Sequence, residues 1–327
     1  MLNNPTRFEE SIPGLLVMNG AYFGDIPTVR IAPPRLSLAD SGSYRATKVG
    51  SMLQALATKR GGRDPYRSIN GATENKTFTV TDRGLEFGID PKDIRDLGGD
   101  ENQAVLAAAL PALYTVMLGL HNDLVTLLTS TGITQTEAAG AAWDNSSSDP
   151  IQDVHDAIIS GYKGSPVLPN VMVIGREKAY ALTRHSKIKG LFGGGDTTFM
   201  APAVVEAKLA QAFGLEEVII DATRRNTADE GQTASYSYLF PNNQAVLLRR
   251  ERTPTPNVPQ TVRTFVNPQS LTDAFEAMSI PGMEVLADAV QAWTWGVGNP
   301  GGRKGIVAVL AEPNIVNAET GVRITSI

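Results

Sequence analysis

The chain has 327 residues, 42% of them hydrophobic and 19% charged, and this balance is typical of a soluble globular protein with one large domain or two modest ones. It contains no cysteine, which excludes disulfides, thiolate metal sites and cysteine nucleophiles and favours a reducing compartment. The formal net charge of −5 provides no overall electrostatic attraction to nucleic acid.

Residues 1–45 are interrupted by five prolines and do not have the composition to bury a core of their own. Their apolar side chains, among them Leu15, Tyr22 and Phe23, would be unfavourable in water. We therefore expect an extended arm that lies across a neighbouring surface. These residues contain no basic stretch followed by an apolar run, which is the pattern of a secretion signal, so no such signal is predicted.

Residues 46–59 predict a short helix, and residues 76–90 predict a β-hairpin. In the hairpin, Phe78 precedes and Leu85 and Phe87 follow a turn that contains Arg83 and Gly84, and polar residues alternate with the apolar ones. Because two strands are marginally stable alone, we expect this hairpin to pack on another surface.

The most apolar segment of the chain, residues 104–128, lies within a long helix predicted over residues 101–130. Its length approaches that of a membrane span. However, Pro111 and the polar trio His121, Asn122 and Asp123 interrupt it, and neither end carries a basic cluster. The pattern predicts a packed helix, with no contact with a membrane.

Residues 140–220 predict a small α/β unit. Ser148, Asp149 and Pro150 are typical of the start of a helix. A strand over 171–175 follows, then a helix, a glycine loop, a further helix that ends at Gly214, and a strand over 216–220.

The last third of the chain predicts mainly strands. Residues 237–240 and 245–249 are predicted to pair with each other across a turn of Pro241, Asn242 and Asn243. Residues 283–297, residues 305–310 and the end of the chain are further strand candidates.

No motif for catalysis, cofactor binding or metal binding emerges. His121, His155 and His185 have no second histidine three or four residues away, so none belongs to a local metal motif. The run Gly193, Gly194, Gly195 follows a predicted helix rather than a strand, and an aspartate rather than a lysine comes next, so it predicts a loop and not a phosphate cradle. We predict no catalytic, cofactor-binding or metal-binding residues.

The order of the motifs resembles that of major capsid proteins of tailed bacteriophages, which have the HK97-like fold. The similarity is carried by Trp143 before Ser-Asp-Pro-Ile at 148–151, by Pro-Asn before Val-Met-Val-Ile-Gly at 169–175, and by Ala-Leu-Thr-Arg-His-Ser-Lys-Ile at 181–188. Phe-Gly-Leu-Glu-Glu-Val at 213–218 and residues 226–232 extend it. Upstream, Gly84, Leu85 and Glu86 resemble a motif of the family's extended hairpin.

The resemblance implies an α+β fold with four parts: an N-terminal arm, a hairpin called the E-loop, a P-domain with a long spine helix, and an A-domain. The implied boundaries are 1–45 for the arm, 46–62 for the start of the P-domain, 63–95 for the E-loop, 96–145 for the P-domain with its spine helix, 146–252 for the A-domain, 253–300 for the return to the P-domain, and 301–327 for C-terminal strands in either domain.

The resemblance also implies a function without catalysis. The protein would be a structural subunit of a virion capsid, which assembles in the host cytoplasm into hexamers and pentamers around double-stranded DNA without sequence specificity. A portal protein, and separate scaffolding or decoration proteins, would be further partners. In some relatives a hairpin lysine crosslinks to a neighbour; Lys76 lies in about that element, but no residue stands out as its partner.

The residues expected to contact neighbouring subunits lie in three places. The predicted contacts are Phe78, Arg83, Leu85 and Phe87 in the hairpin, Leu15, Tyr22 and Phe23 in the arm, and Gly193, Gly194 and Gly195 in the glycine loop.

Two alternatives remain open from the sequence. One is a soluble α/β enzyme or ligand-binding protein that binds a small molecule near residues 193–196. The other is an encapsulin-like protein shell, which shares the fold of the capsid proteins but encloses no DNA.

Overall fold

The computed structural model describes residues 6–7, 26–37, 39–49, 73–98, 101–130, 132–190, 201–229, 231–251, 259–267, 290–296 and 302–327. The helices in this part of the chain are α1 (Thr28–Ile31), α2 (Pro91–Asp96), α3 (Glu101–Thr129), α4 (Pro150–Gly164), α5 (Arg176–Arg184), α6 (Ser186–Lys189) and α7 (Pro202–Phe213), with a 3₁₀ turn at Ala318–Thr320.

The strands of the described residues fall into two large sheets and two short ribbons. They are β1 (Thr6–Arg7), β2 (Pro34–Leu36), β3 (Ser41–Thr47), β4 (Thr73–Thr79), β5 (Asp82–Ile89), β6 (Gln135–Ala138), β7 (Val171–Gly175), β8 (Glu217–Asp221), β9 (Arg224–Asn226), β10 (Tyr236–Tyr238), β11 (Gln244–Leu248), β12 (Val262–Val266), β13 (Val290–Gly296), β14 (Arg303–Ile315) and β15 (Val322–Thr325). The prediction of a mixed α+β fold is confirmed.

The first sheet is built around the long strand β14. Its order is β1-β13-β14-β12-β2, and β5 also pairs with β14. The predicted long helix is present as α3, which runs through Pro111 and packs against β14 and β5. By length and composition α3 resembles a membrane span, but its apolar residues, such as Leu113 and Leu120, are buried against the strands of its own chain.

The second sheet has the order β6-β15-β11-β7-β8. The run Val-Met-Val-Ile-Gly of β7 is apolar throughout because both of its faces are covered: Met172 and Ile174 pack towards the helices, and Val171 and Val173 pack on the opposite side. The connection from β7 to the parallel strand β8 contains α5, α6 and α7. The α/β unit predicted for residues 140–220 is therefore confirmed.

Local sequence signals correctly predict the ends of two helices that pack on the second sheet. The Asp149 side chain accepts a hydrogen bond from the Gln152 backbone, and Pro150 occupies the first helical position of α4. At the end of α7, Gly214 adopts the left-handed conformation with a φ of 67°, which favours glycine because it has no side chain.

Both predicted hairpins are wrong in their pairing, although their strands exist. β4 pairs with β3, in register from Ser41↔Thr79 to Thr47↔Thr73, while β5 pairs with β14. Likewise, β10 pairs with β9, and β11 lies between β7 and β15. An alternating pattern identifies a strand but not its partner.

The strand β3 corrects a second expectation. Residues 41–45 were assigned to an irregular arm and residues 46–59 to a helix, whereas residues 41–47 are a strand. The remainder of that predicted helix lies almost entirely outside the described residues. In the C-terminal region, β14 lies in the first sheet, whereas β15 pairs with β6 in the second sheet. The two C-terminal strands therefore belong to different sheets.

Candidate interaction surfaces

The two-stranded sheet of β3 and β4, here called the ribbon, has one face that packs on its own chain. Tyr44 and Phe78 from the ribbon contact Phe265 of β12, and the rings of Phe78 and Phe265 stack with centroids 4.4 Å apart and planes 6° apart. Phe78, predicted as an intersubunit contact, is therefore buried within its own subunit. Lys76 is also engaged, because its Nζ donates to the carbonyl of Val316 at 2.8 Å.

The opposite face of the ribbon is polar and exposed. It presents the alternate residues Ser41, Ser43, Arg45, Thr73, Asn75, Thr77 and Thr79. The outer edges of β3 and β4 pair with no other strand in the described part of the chain. Together with these edges, such a face suits hydrogen bonding to another molecule rather than apolar docking.

Strand β5 carries the other three predicted contacts of the hairpin, in three different situations. Arg83 forms ion pairs with Asp123 of α3 and, at 2.6 Å, with Glu312 of β14. Phe87 is buried over Gly305, where an added Cβ would lie 2.3 Å from the ring. Leu85 is exposed, with 40% of the residue's surface accessible, so among the four described residues that were predicted as contacts it is the one that presents an apolar side chain to solvent.

The remaining predicted contacts, Leu15, Tyr22, Phe23, Gly193, Gly194 and Gly195, lie outside the described residues. Of the predicted arm, a short piece before residue 26 is described: Thr6 and Arg7 form β1, which pairs with Trp293 and Thr294 of β13 at the edge of the first sheet.

An ion-pair network that the sequence analysis missed joins α1 to the second sheet. Arg30 of α1 contacts Glu206 of α7 and Glu217 of β8, each at 2.9 Å, and Arg250 contacts the same Glu217 and the carbonyl of Arg30. Burial alone would raise the pKa of Glu217, but its bonds to Arg250 and Arg30 outweigh this and lower the pKa. Charged residues far apart in sequence gave no local signal for this network.

A chain of buried polar groups lies beside this network. His121 Nε2 is 2.8 Å from Asp221 Oδ2, and His121 Nδ1 is 3.0 Å from the hydroxyl of Thr28. Burial would raise the pKa of Asp221, yet the bonds from His121 and Thr223 hold the pKa below its ordinary value.

The order hydroxyl, imidazole, carboxylate is that of a hydrolase triad. Here His121 and Asp221 have no exposed surface, and Thr28 has 1%, so no substrate reaches the hydroxyl. The arrangement instead holds α1, α3 and β8 together.

The other two histidines also have structural surroundings. His185 is buried beside the hydroxyl of Ser148, at 3.1 Å, and connects the start of α4 to the end of α5. His155 is exposed on α4. Within the described ranges no group of three or more histidine, aspartate or glutamate side chains is arranged to hold a metal ion.

Searches for related proteins give matches in structure but not in sequence. No protein-family model matches the chain, and no curated protein sequence matches it. A phage-related protein from Bordetella bronchiseptica RB50 superposes with a TM-score of 0.67 at 14% identity, over 98% of both chains. The putative capsid protein of a prophage of Escherichia coli CFT073 gives a TM-score of 0.56 at 12% identity, over 98% of this chain and 100% of the other.

A virus-like particle from Pyrococcus furiosus gives a TM-score of 0.53 at 12% identity, over 95% of this chain and 96% of the other. These likenesses extend over both sheets and nearly the whole length of each chain. The chain thus has the HK97-like fold of phage capsid proteins, as predicted.

Proposed function

We propose that the protein is the structural subunit of a bacteriophage icosahedral capsid and has no catalytic activity. The observation that carries this proposal is the end-to-end likeness to the prophage capsid protein, which covers 98% of this chain and 100% of that one. Because the match covers almost all of both chains, the likeness includes peripheral elements as well as the two sheets.

The periphery of the subunit supports self-association. The ribbon exposes a polar face and two strand edges, and Leu36, Leu85, Ile159 and Tyr162 expose apolar surface. Rings of identical subunits need two different complementary surfaces on each copy, and such features supply candidates for them. In this proposal Leu85, together with the arm and the glycine loop, contacts neighbouring subunits in hexamers and pentamers.

Further partners follow from the same proposal. The shell encloses double-stranded DNA without sequence specificity, and the net charge of −5 suits a coat that does not bind its genome tightly. A portal protein occupies one vertex, separate scaffolding or decoration proteins assist, and assembly takes place in the host cytoplasm. The four-part division into arm, E-loop, P-domain and A-domain belongs to this proposal too.

Electron microscopy and light scattering of the protein produced in bacteria test the proposal, alone and together with the neighbouring genes of its genomic locus. We expect ring-shaped oligomers or closed shells. A protein that remains monomeric at all concentrations, alone and when produced with the products of the neighbouring genes, would contradict the proposal. That result would favour the alternative of a soluble α/β enzyme or ligand-binding protein. A gene for a DNA-packaging motor beside the gene for this protein would distinguish a phage capsid from an encapsulin-like compartment.

The ribbon allows a sharper experiment. Thr47 and Thr73 are paired in register, so residues 48–72 can be replaced by Asn-Gly, which closes a two-residue hairpin. We expect a folded subunit that no longer assembles. Deleting residues 70–92 is a poorer test, because it removes β5 from the first sheet. Shells of normal size from the Asn-Gly variant would exclude the segment 48–72 from assembly.

A further inference from the structure

Two arginines lie close together on the first sheet. Arg35 of β2 is adjacent in register to Phe265 of β12, and its guanidinium lies 5.9 Å from the centre of that ring. Arg263 precedes Phe265 by two residues on β12, so both side chains emerge on the same face of the sheet. Arg35 is exposed, whereas Arg263 is 7% exposed and therefore recessed.

The positive charge of Arg263 has no counter-charge in the described part of the chain. Its Nε donates to Gln260 Oε1 at 2.8 Å, and no carboxylate there forms an ion pair with Arg35 or Arg263. Glu312, which is paired in register with Phe265, is held by Arg83. Burial and, second, the charge of Arg35 lower the pKa of Arg263, as expected for a cation without compensation.

A neighbouring donor is unsatisfied as well. Gln260 is 1% exposed, and its Nε2 has no hydrogen-bond acceptor in the described structure. Buried polar groups are nearly always paired, and a buried charge is costly unless an anion meets it. The two guanidinium groups and the unsatisfied amide of Gln260 would therefore be stabilised by an anionic group that accepts hydrogen bonds from them.

We propose that Arg35 and Arg263, here called the arginine site, bind a carboxylate side chain of a second copy of this chain. The inference rests on the proposed shell function. A recessed guanidinium suits a small planar carboxylate, which accepts two parallel hydrogen bonds from arginine. Each copy carries 34 aspartate and glutamate residues, so a neighbouring copy can supply the carboxylate that faces the two arginines.

The geometry favours a carboxylate over packaged nucleic acid. A nucleic acid backbone is bound by several exposed cations along a path. In the arginine site one of the two cations is recessed, and the nearby Lys76 is paired with Glu74 at 2.9 Å and bonded to Val316. Salt-dependent binding of double-stranded DNA that depended on Arg263 would support the nucleic acid instead and overturn the proposal.

The test compares Arg263→Met with wild type and with Arg184→Met, a matched change at an exposed arginine at the end of α5. In the isolated subunit an unpaired buried cation opposes folding, so Arg263→Met should unfold at the same or a higher urea concentration than wild type. In assembly its partner carboxylate loses its counter-charge, so the critical concentration for shell formation should rise at least about tenfold. Arg184→Met should change neither quantity. Arg35→Met should raise the critical concentration by a smaller factor.

A second measurement uses sulfate as the probe, against sodium chloride at matched ionic strength. Sulfate should raise the urea midpoint of wild-type subunits more than that of Arg263→Met subunits, since the variant keeps only the general stabilisation by this salt. Equal sulfate effects on both proteins, or shells of Arg263→Met at the wild-type concentration, would overturn the proposal. Loss of subunit stability with unchanged assembly would assign Arg263 to folding alone. If wild type forms no shells, the proposed function fails, while the sulfate comparison still tests the site.

Discussion

The two sheets of this protein differ, within the described residues, in how much surface their outer strands expose. The second sheet packs on both faces, with β7 fully buried between two clusters of side chains. The first sheet carries α3 on one side and buries β12, but Arg35 of β2, Leu85 of β5 and the outer face of the ribbon that packs on β12 are exposed. One region supplies stability within the subunit, and the other presents surfaces that association would cover. The following predictions test this division.

The largest effect is expected where the two regions meet. Asp221→Ala leaves His121 buried without its carboxylate, and breaking a buried pair in this way costs about 3–5 kcal/mol. Urea unfolding of the isolated subunit measures the loss. Asp156→Ala, on the exposed surface of α4, is the control and should change stability by less than about 0.5 kcal/mol. Equal values for the two variants would mean that the buried chain of polar groups does not hold the regions together.

A smaller and more local effect is expected from Phe78→Ala. The substitution removes the ring that stacks on Phe265, at a typical cost of about 3 kcal/mol for a buried phenylalanine. Hydrogen exchange should show that the amides of β3 and β4 lose protection while those of β7 and β11 keep it. Uniform loss across both sheets would contradict the independence of the ribbon.

Acid should weaken the joint between the regions before it affects apolar packing. The folded-state pKa values of Asp221 and Glu217 are lowered, so each contributes stability that is complete above its ordinary pKa and is lost as the pH falls through the folded value. Unfolding free energy should therefore decline below about pH 4. Asp221→Asn, which cannot ionise, should show a shallower decline; an identical slope would exclude Asp221 as a source.

The smallest effect on stability, with a clear effect on association, is expected from Leu85→Ser. The side chain is 40% exposed, so the subunit should lose less than about 1 kcal/mol. If Leu85 contacts a neighbour, the concentration needed for assembly should rise, as light scattering can measure. Phe87→Leu is the buried comparison on the same strand, and it should act through stability. Unchanged assembly of Leu85→Ser would remove this residue from the proposed interface.

The sequence predicted the second sheet better than the first for a physical reason. The signals of the second sheet are local: Asp149 and Pro150 begin a helix, and Gly214 ends one. The motif residue Asn170 has a structural role as well: its side chain donates to the carbonyl of Arg250 and accepts from the amide of Arg250, each at 2.8 Å. The pairing of strands was not predicted in either sheet, because β5 and β11 pair with strands far away in sequence, whereas the local turns suggested hairpins that do not form.

The candidate surfaces were predictable to a lesser degree. Alternation placed Phe78 and Phe87 on strands, but it did not show that Phe265 and Gly305 of the same chain cover them. Arg83 was expected to reach a neighbour and instead pairs with Asp123 and Glu312. The arginine site has no sequence pattern, because it depends on β2 and β12 lying side by side.

The pairing of β5 with β14 also has a consequence for how the protein is made. Asp82 meets Leu310 and Ile89 meets Arg303, so β5 leaves the ribosome long before its partner strand has been synthesised. Strand β6 is likewise synthesised long before its partner β15, which lies at residues 322–325. Contacts of such large sequence separation slow folding, and nascent strands with unpaired edges are prone to aggregation. Neither sheet can therefore be completed before β14 and β15 have been synthesised, and we expect the nascent subunit to depend on chaperones until then.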